Sequence, residues 1–305
     1  MAYVFKLLRI AGLVGMGIGS LRAQTPPGQP VSDTPYTIAA VPFAQLSDKN
    51  LTLDGRRALA IRRSEWKHTE TKHFVIHYFS SSIAAPVSVE AEFYYRYIMN
   101  DLGNAEPATE GVASSVGKTH MYLFESRQDW VEFRTAALLE SWTGAVHIDG
   151  ALFVPRYPEF KWKGNALGHE ISHLLVSRVV GTGLPLWLKE GYAEDVSSRG
   201  NSAFYRARGY ASTPRELIPP SWMPLARLTT LQDYPPEAEV STFYRESRAL
   251  TAFLSSDGKK TQFLKFFREM GQGTDVATAL DMAYGSRWSS LDMLEIEFRK
   301  HMVPN

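Results

Sequence analysis

His169 and His173 stand four residues apart in the stretch NALGHEISHLLVSRVVGTGLPLWLKEGYAE, Asn165 to Glu194. Apolar residues recur around them at Ala166, Leu167, Ile171, Leu174 and Leu175, a helical period that puts both imidazoles on one face. Two ring nitrogens so placed can grip one metal ion. Glu170, between them in sequence, lies about 100° round the helix, where a carboxylate can reach a metal's water without becoming a ligand. Gly181-Thr182-Gly183 and Pro185 end the helix, and periodicity resumes at Leu186. Glu190 therefore falls early on a second helix, seventeen residues after His173, and is the natural third ligand. Gly191 is expected to let the two helices approach closely. Glu194, one turn further on, can accept the free ring N–H of a ligating histidine and set its tautomer.

Chance does not explain the pattern, because the chain has only eight histidines and the full His-Glu-x-x-His spacing is rare at that content. A structural zinc site is excluded by ligand type: such sites usually close with cysteine, and the chain has none. Two histidines and one carboxylate, leaving a fourth position open, are the donor set of a catalytic metal.

At these residues the chain resembles the gluzincin metallopeptidases, the group containing thermolysin and the membrane alanyl aminopeptidases. Leu186-Trp187-Leu188-Lys189-Glu190-Gly191-Tyr192-Ala193 is particularly similar to the aminopeptidase version. The resemblance implies zinc on His169, His173 and Glu190, with Glu170 as general base. It also implies an α+β, two-lobed, thermolysin-like fold: a mixed-sheet N-terminal lobe, a helical C-terminal lobe, and the zinc site between them. Tyr244, with Ala249-Leu250 and Leu254 after it, resembles the aminopeptidase tyrosine that hydrogen-bonds the developing oxyanion. Its implied position is the start of an amphipathic helix. Tyr192 and Tyr234 are the other hydroxyls from which such a donor could come.

The segment Gly144-Ala145-Val146-His147-Ile148-Asp149-Gly150 is similar in place to the aminopeptidases' Gly-Ala-Met-Glu-Asn segment, 25 residues before His169. Gly144, Ala145 and Val146 would then form a substrate-pairing edge strand. The glutamate that holds a substrate's free amine in those enzymes is here His147, and the asparagine is Ile148. This departure points to an endopeptidase acting on peptides or proteins. An aminopeptidase, a cell-wall amidase and a secreted binding module that no longer turns over are the alternatives.

Around this centre the chain supplies 305 residues with nearly balanced charge, 33 Lys and Arg against 32 Asp and Glu, and so no electrostatic footprint for nucleic acid. Lys6 and Arg9 flank an apolar run from Ile10 to Leu21 that precedes a small-residue cleavage pattern, so residues 1–23 read as a signal peptide. Its removal takes the formal charge from +1 to −2, predicts a periplasmic or secreted protein, and leaves no stable membrane insertion. Residues 24–65 read as a linker and N-terminal strap, with folding expected to begin near Trp66.

Residues 66–305 then form the catalytic domain, 66–160 as the sheet lobe and 161–305 as the zinc helix and helical lobe. Strands are expected at Lys72–Phe79 and His120–Glu125, helices at Pro86–Leu102 and Asp129–Leu139, and a polar loop at Asn104–Gly117. His73 and His77, on one face of the first strand, read as ordinary surface or half-buried histidines. Asp149-Gly150 signals a tight hairpin turn within Thr143–Pro155. A proline-rich connector, Asn201–Pro236, is expected to cross the site with Trp222 and Met223 lining it. Further helices follow at Lys259–Met270, Asp275–Tyr284 and Leu291–Met302.

Overall fold

The computed structural model describes residues 38–103, 117–160, 164–210, 222–256, 258–288 and 290–302. The signal peptide and the start of the linker, most of the loop expected at Asn104–Gly117, and residues 211–221 of the proline-rich connector lie outside them. The described chain is mixed α/β and divides into two compact units, residues 1–89 with 118–162, and residues 90–117 with 163–305.

The first unit holds a five-stranded mixed sheet. Its strands are β1 (Lys67–Glu70), β2 (Phe74–Tyr78), β3 (Thr119–Phe124), β4 (Val146–Ile148) and β5 (Ala151–Pro155), in the order β1-β2-β3-β5-β4. β2, β3 and β5 run parallel, and β1 and β4 close the two edges antiparallel. The three central strands are buried along their whole length, including the polar residues His77, Thr119 and His120. β4 and β5 are joined by Asp149-Gly150, both at positive φ (48° and 82°) as a tight hairpin turn demands. β4 is thus an edge strand, with Gly144 and Ala145 leading into it.

Helices α1 (Leu53–Ala60) and α3 (Arg127–Ala136) start at Thr52 and Ser126, whose hydroxyls accept from the first-turn backbone N–H groups. Ala58 and Ile61 join Trp66, Tyr122, Phe124 and Trp130 in the unit's aromatic core. Folding therefore begins well before Trp66. The strap lacks a clear period in sequence because only a few of its residues face inward, Leu46 and Ala58 among them.

His77 corrects the expectation of an ordinary surface or half-buried histidine, for it is fully buried. Its Nδ1 lies 2.8 Å from Nδ1 of His68 on β1, and its Nε2 lies 2.9 Å from Nδ1 of His120 on β3. Tyr122 stacks on its ring at 4.5 Å. Three strand positions that look unrelated in sequence are thus joined sideways through the sheet.

The second unit is helical. α2 (Ser81–Asp101) enters it from residue 90, and α4 (Ala166–Val179), α5 (Leu186–Arg206), α6 (Leu225–Leu228), α7 (Glu237–Ser255), α8 (Lys260–Gly271), α9 (Val276–Tyr284) and α10 (Leu291–Met302) follow. The close approach at Gly191 is not to the histidine helix, as the sequence suggested, but to α7. A methyl group there would overlap the Ser247 carbonyl oxygen. The bare surface against which Tyr94 of α2 lies is supplied instead by Gly168 and Gly200.

Asp101 at the end of α2 accepts from Tyr192 (2.9 Å), Arg199 (3.0 Å) and Lys260 (2.6 Å), binding α2, α5 and α8 together. Glu246 of α7 is fully buried and takes the Met223 backbone N–H and the Arg299 guanidinium. Arg299 also lies 4.1 Å over the Trp222 ring. Trp222 and Met223 are therefore held by side chains of α7 and α10.

Candidate metal centre

α4 carries His169, Glu170 and His173 at its fourth, fifth and eighth positions. Asn165 starts the helix and donates from its side-chain nitrogen to Ser197 Oγ on α5 at 2.9 Å, which fixes the two helices at that end. Leu167, Ile171, Leu174 and Leu175 are buried, so the helix is anchored by the apolar face predicted from its period. α4 ends before Gly181, whose φ of 114° is one that side chains rarely adopt. Pro185 then precedes the first residue of α5, and Glu190 comes at the fifth position of that helix.

His169 Nε2 and His173 Nε2 are 3.0 Å apart. Glu190 Oε2 lies 3.3 Å from the first and 3.5 Å from the second. Donor atoms held about 2.0–2.1 Å from a tetrahedral ion stand about 3.3–3.4 Å from one another. The three atoms thus form the triangular face of such a site, and among the described residues no other group of His, Asp or Glu converges in this way. Two neutral nitrogens and one carboxylate oxygen fit zinc. Glu194 Oε1 is 3.2 Å from His169 Nδ1, where it favours the tautomer that leaves the Nε2 lone pair facing the triangle.

The site is largely removed from water, with His169, Glu170 and Glu190 exposed by 8%, 7% and 2%. Burial alone would raise the Glu190 carboxyl, but His173 and His169 outweigh it and hold that group well below the usual carboxylate range.

Tyr244 is inside α7, seven residues from its first position, and not at the helix start. Pro235-Pro236 and the acidic first turn of Glu237 and Glu239 set the beginning earlier than the Tyr244 similarity suggested. Burial raises the Tyr244 phenol, and the carboxylates of Glu190, Glu194 and Glu170 raise it further. Its hydroxyl is therefore a donor amid the site's three acids.

Tyr234, in sequence a second-choice donor, accepts from the Tyr244 hydroxyl at 3.3 Å, and burial and the Glu190 carboxylate raise its phenol. Its one sequence signal is the Pro-Pro pair that follows it, and this reveals rigidity without revealing direction. Tyr192, the other fallback, is committed to Asp101. The structure thus brings together His169, Glu170, His173, Glu190, Glu194 and Tyr244 and adds Tyr234, while Gly144, Ala145 and Val146 belong to the sheet unit.

No family model and no curated protein matches the chain. Among solved structures it is similar to an M1 zinc metallopeptidase from Deinococcus radiodurans, with 14% identity and a TM-score of 0.43, over 78% of this chain and 52% of that one. The chain thus spans about half the length of that protein. This likeness is one of fold at most, and the functional reading rests on the side chains.

Proposed function

We propose that the chain is a zinc-dependent metallopeptidase, exported from the cytoplasm, that hydrolyses peptide bonds within chains. The observation that carries this is the convergence of His169 Nε2, His173 Nε2 and Glu190 Oε2 within 3.5 Å of one another. Held by these three residues, zinc would supply Lewis acidity, bringing a water's pKa to about 7 and polarising a substrate carbonyl.

The chain's own groups divide the remaining work. Glu170 takes a proton from the attacking water as its oxygen bonds to the carbonyl carbon, and gives that proton to the amine nitrogen as the carbon–nitrogen bond breaks. Tyr244 donates its hydroxyl hydrogen to the developing oxyanion, a contact that typically contributes about 10²–10³-fold in rate. Glu194 keeps His169 oriented, and the surrounding burial keeps bulk water from competing.

Cutting within a chain follows from what would hold the substrate. A free α-amine in a desolvated cleft needs a partner charge, and His147 and Ile148 stand where the resembling aminopeptidases carry acid and amide. By the similarity of Gly144, Ala145 and Val146 to the aminopeptidase segment, those residues would instead offer backbone groups to an extended peptide. Export rests on the reading of residues 1–23.

Incubating the zinc-loaded protein with mixed peptides, half of them N-acetylated, and mapping the products by mass spectrometry tests this reading. Internal cuts, with blocked peptides cleaved as readily as free ones, are expected. Preference for free amines by tenfold or more, about 1.4 kcal/mol of recognition, would make it an aminopeptidase. No cuts at all would remove the peptidase reading.

A further inference from the structure

Beside the start of α5 lies a cavity of about 390 Å³. Three turns of the helical unit wall it: residues 183–186 between α4 and α5, 229–232 after α6, and 270–276 between α8 and α9. Bare backbone fixes these walls. A methyl group on Gly183 would stand 2.7 Å from the Gly271 carbonyl oxygen, and one on Gly271 would stand 2.6 Å from that of Val180. The α4–α5 turn is thus locked against the end of α8, and the cavity stands preformed, as binding pockets usually do.

Its lining is mixed. Leu184, Leu186, Met270 and Val276 give an apolar surface, to which Thr229, Gln232 and Lys189 bring polar groups. Lys189 is the one cation of this lining, and its side chain is half exposed. Among the described residues its ammonium has no acceptor nearer than Glu190 Oε1 at 3.8 Å, which is too far for a hydrogen bond. Its N–H donors are therefore open to a ligand. The acid of the lining, Asp275, is engaged elsewhere, since its carboxylate caps α9 by accepting from the Thr278 N–H at 3.1 Å.

Two of the walls continue into the metal centre. Lys189 is followed at once by Glu190, and Gln232 comes two residues before Tyr234, whose hydroxyl accepts from Tyr244 at 3.3 Å. A substrate side chain in this cavity would thus belong to a residue close to the bond being cut.

We propose that the cavity is a side-chain subsite of the peptidase and that Lys189 is its specificity-determining residue, selecting substrates with Asp or Glu beside the scissile bond. This deepens the peptidase reading and rests on it. An ammonium with open donors gains a charge-assisted hydrogen bond from a carboxylate, but only a weaker one from the neutral amide of the same shape. The difference should be about five- to tenfold, between what an exposed ion pair and a buried charge-assisted hydrogen bond give.

The test uses peptides blocked at both ends, so that side chains are their only carboxylates, in pairs differing by Glu against Gln at one position. Mass spectrometry of digests by the zinc-loaded wild type locates the cuts. Calorimetry with Glu170→Gln, which should bind without cutting, gives the affinity of each member apart from turnover. Glu at one fixed position beside the cut should be favoured about five- to tenfold in both measurements. Lys189→Met should abolish the preference in both, and Lys189→Glu should favour Lys over Gln at that position. A preference that survives Lys189→Met, whatever the rate, or a wild type that treats Glu and Gln alike, would overturn the inference and leave the peptidase reading intact. A wild type that cuts neither member of any pair would overturn the peptidase reading, and the subsite with it.

Discussion

Glu170 and Glu190 are both buried carboxylates of one site, and what separates their proposed roles is angle. Glu190 turns an oxygen into the triangle of ligand atoms, whereas Glu170 is one residue round α4 from His169 and contributes no atom to that triangle. Glu170→Gln should therefore keep the fold and the zinc but lose turnover, because it removes the base and spares the ligands. Zinc content and peptide hydrolysis measured on the same preparation check this, and loss of metal would make Glu170 a ligand.

At this scale the sequence was most informative where spacing alone sets direction. Four residues along a helix suffice to place His169 and His173 together, and a further turn suffices for Glu190 and Glu194. Tyr234 was not legible because it projects from a loop, where no period relates position to direction. The reversal at Gly191, which meets α7 and not α4, had the same origin: a glycine marks a close approach without naming the neighbour.

Among the elements, the sheet holds a second arrangement of titratable groups. His68, His77 and His120 come from β1, β2 and β3, and Asp48 lies 3.8 Å from His120 Nε2 at the far end. Burial lowers all three imidazoles, most strongly His77, which its two neighbours lower further. Asp48 and Glu70 only partly offset the effect at His120.

The folded protein thus keeps these rings neutral to lower pH than the unfolded chain, whose histidines titrate near 6.5. Above about pH 6.5 neither state is protonated and stability is unaffected, but below it the unfolded state binds protons that the folded state refuses. The melting temperature of zinc-free protein should therefore fall as pH drops from about 6.5 toward the depressed folded values. His77→Gln should flatten that fall, and equal slopes in the two proteins would remove the account. Alternation along Lys72–Phe79 identified β2 correctly. It could not show that β1 and β3 bring histidines alongside, because sideways register is a property of the assembled sheet.

For the whole molecule, strand–helix–strand–helix order followed by helices was readable as a mixed sheet and a helical remainder, because long apolar periods survive any particular packing. The contribution of residues 38–65 was not, since a segment that buries few side chains shows little period. The molecule has no cysteine among its 305 residues to cross-link either unit, so its stability rests on apolar cores and buried ion pairs such as Arg299 with Glu246, to which a metal bound as proposed would add.

The proposed zinc would join fold to chemistry, and its stoichiometry tests the account most directly. Elemental analysis of the purified wild-type chain should find one zinc per chain. The same analysis of His173→Ala should find the zinc lost. Wild-type protein without zinc, or a His173→Ala variant that retains it in full, would contradict the site.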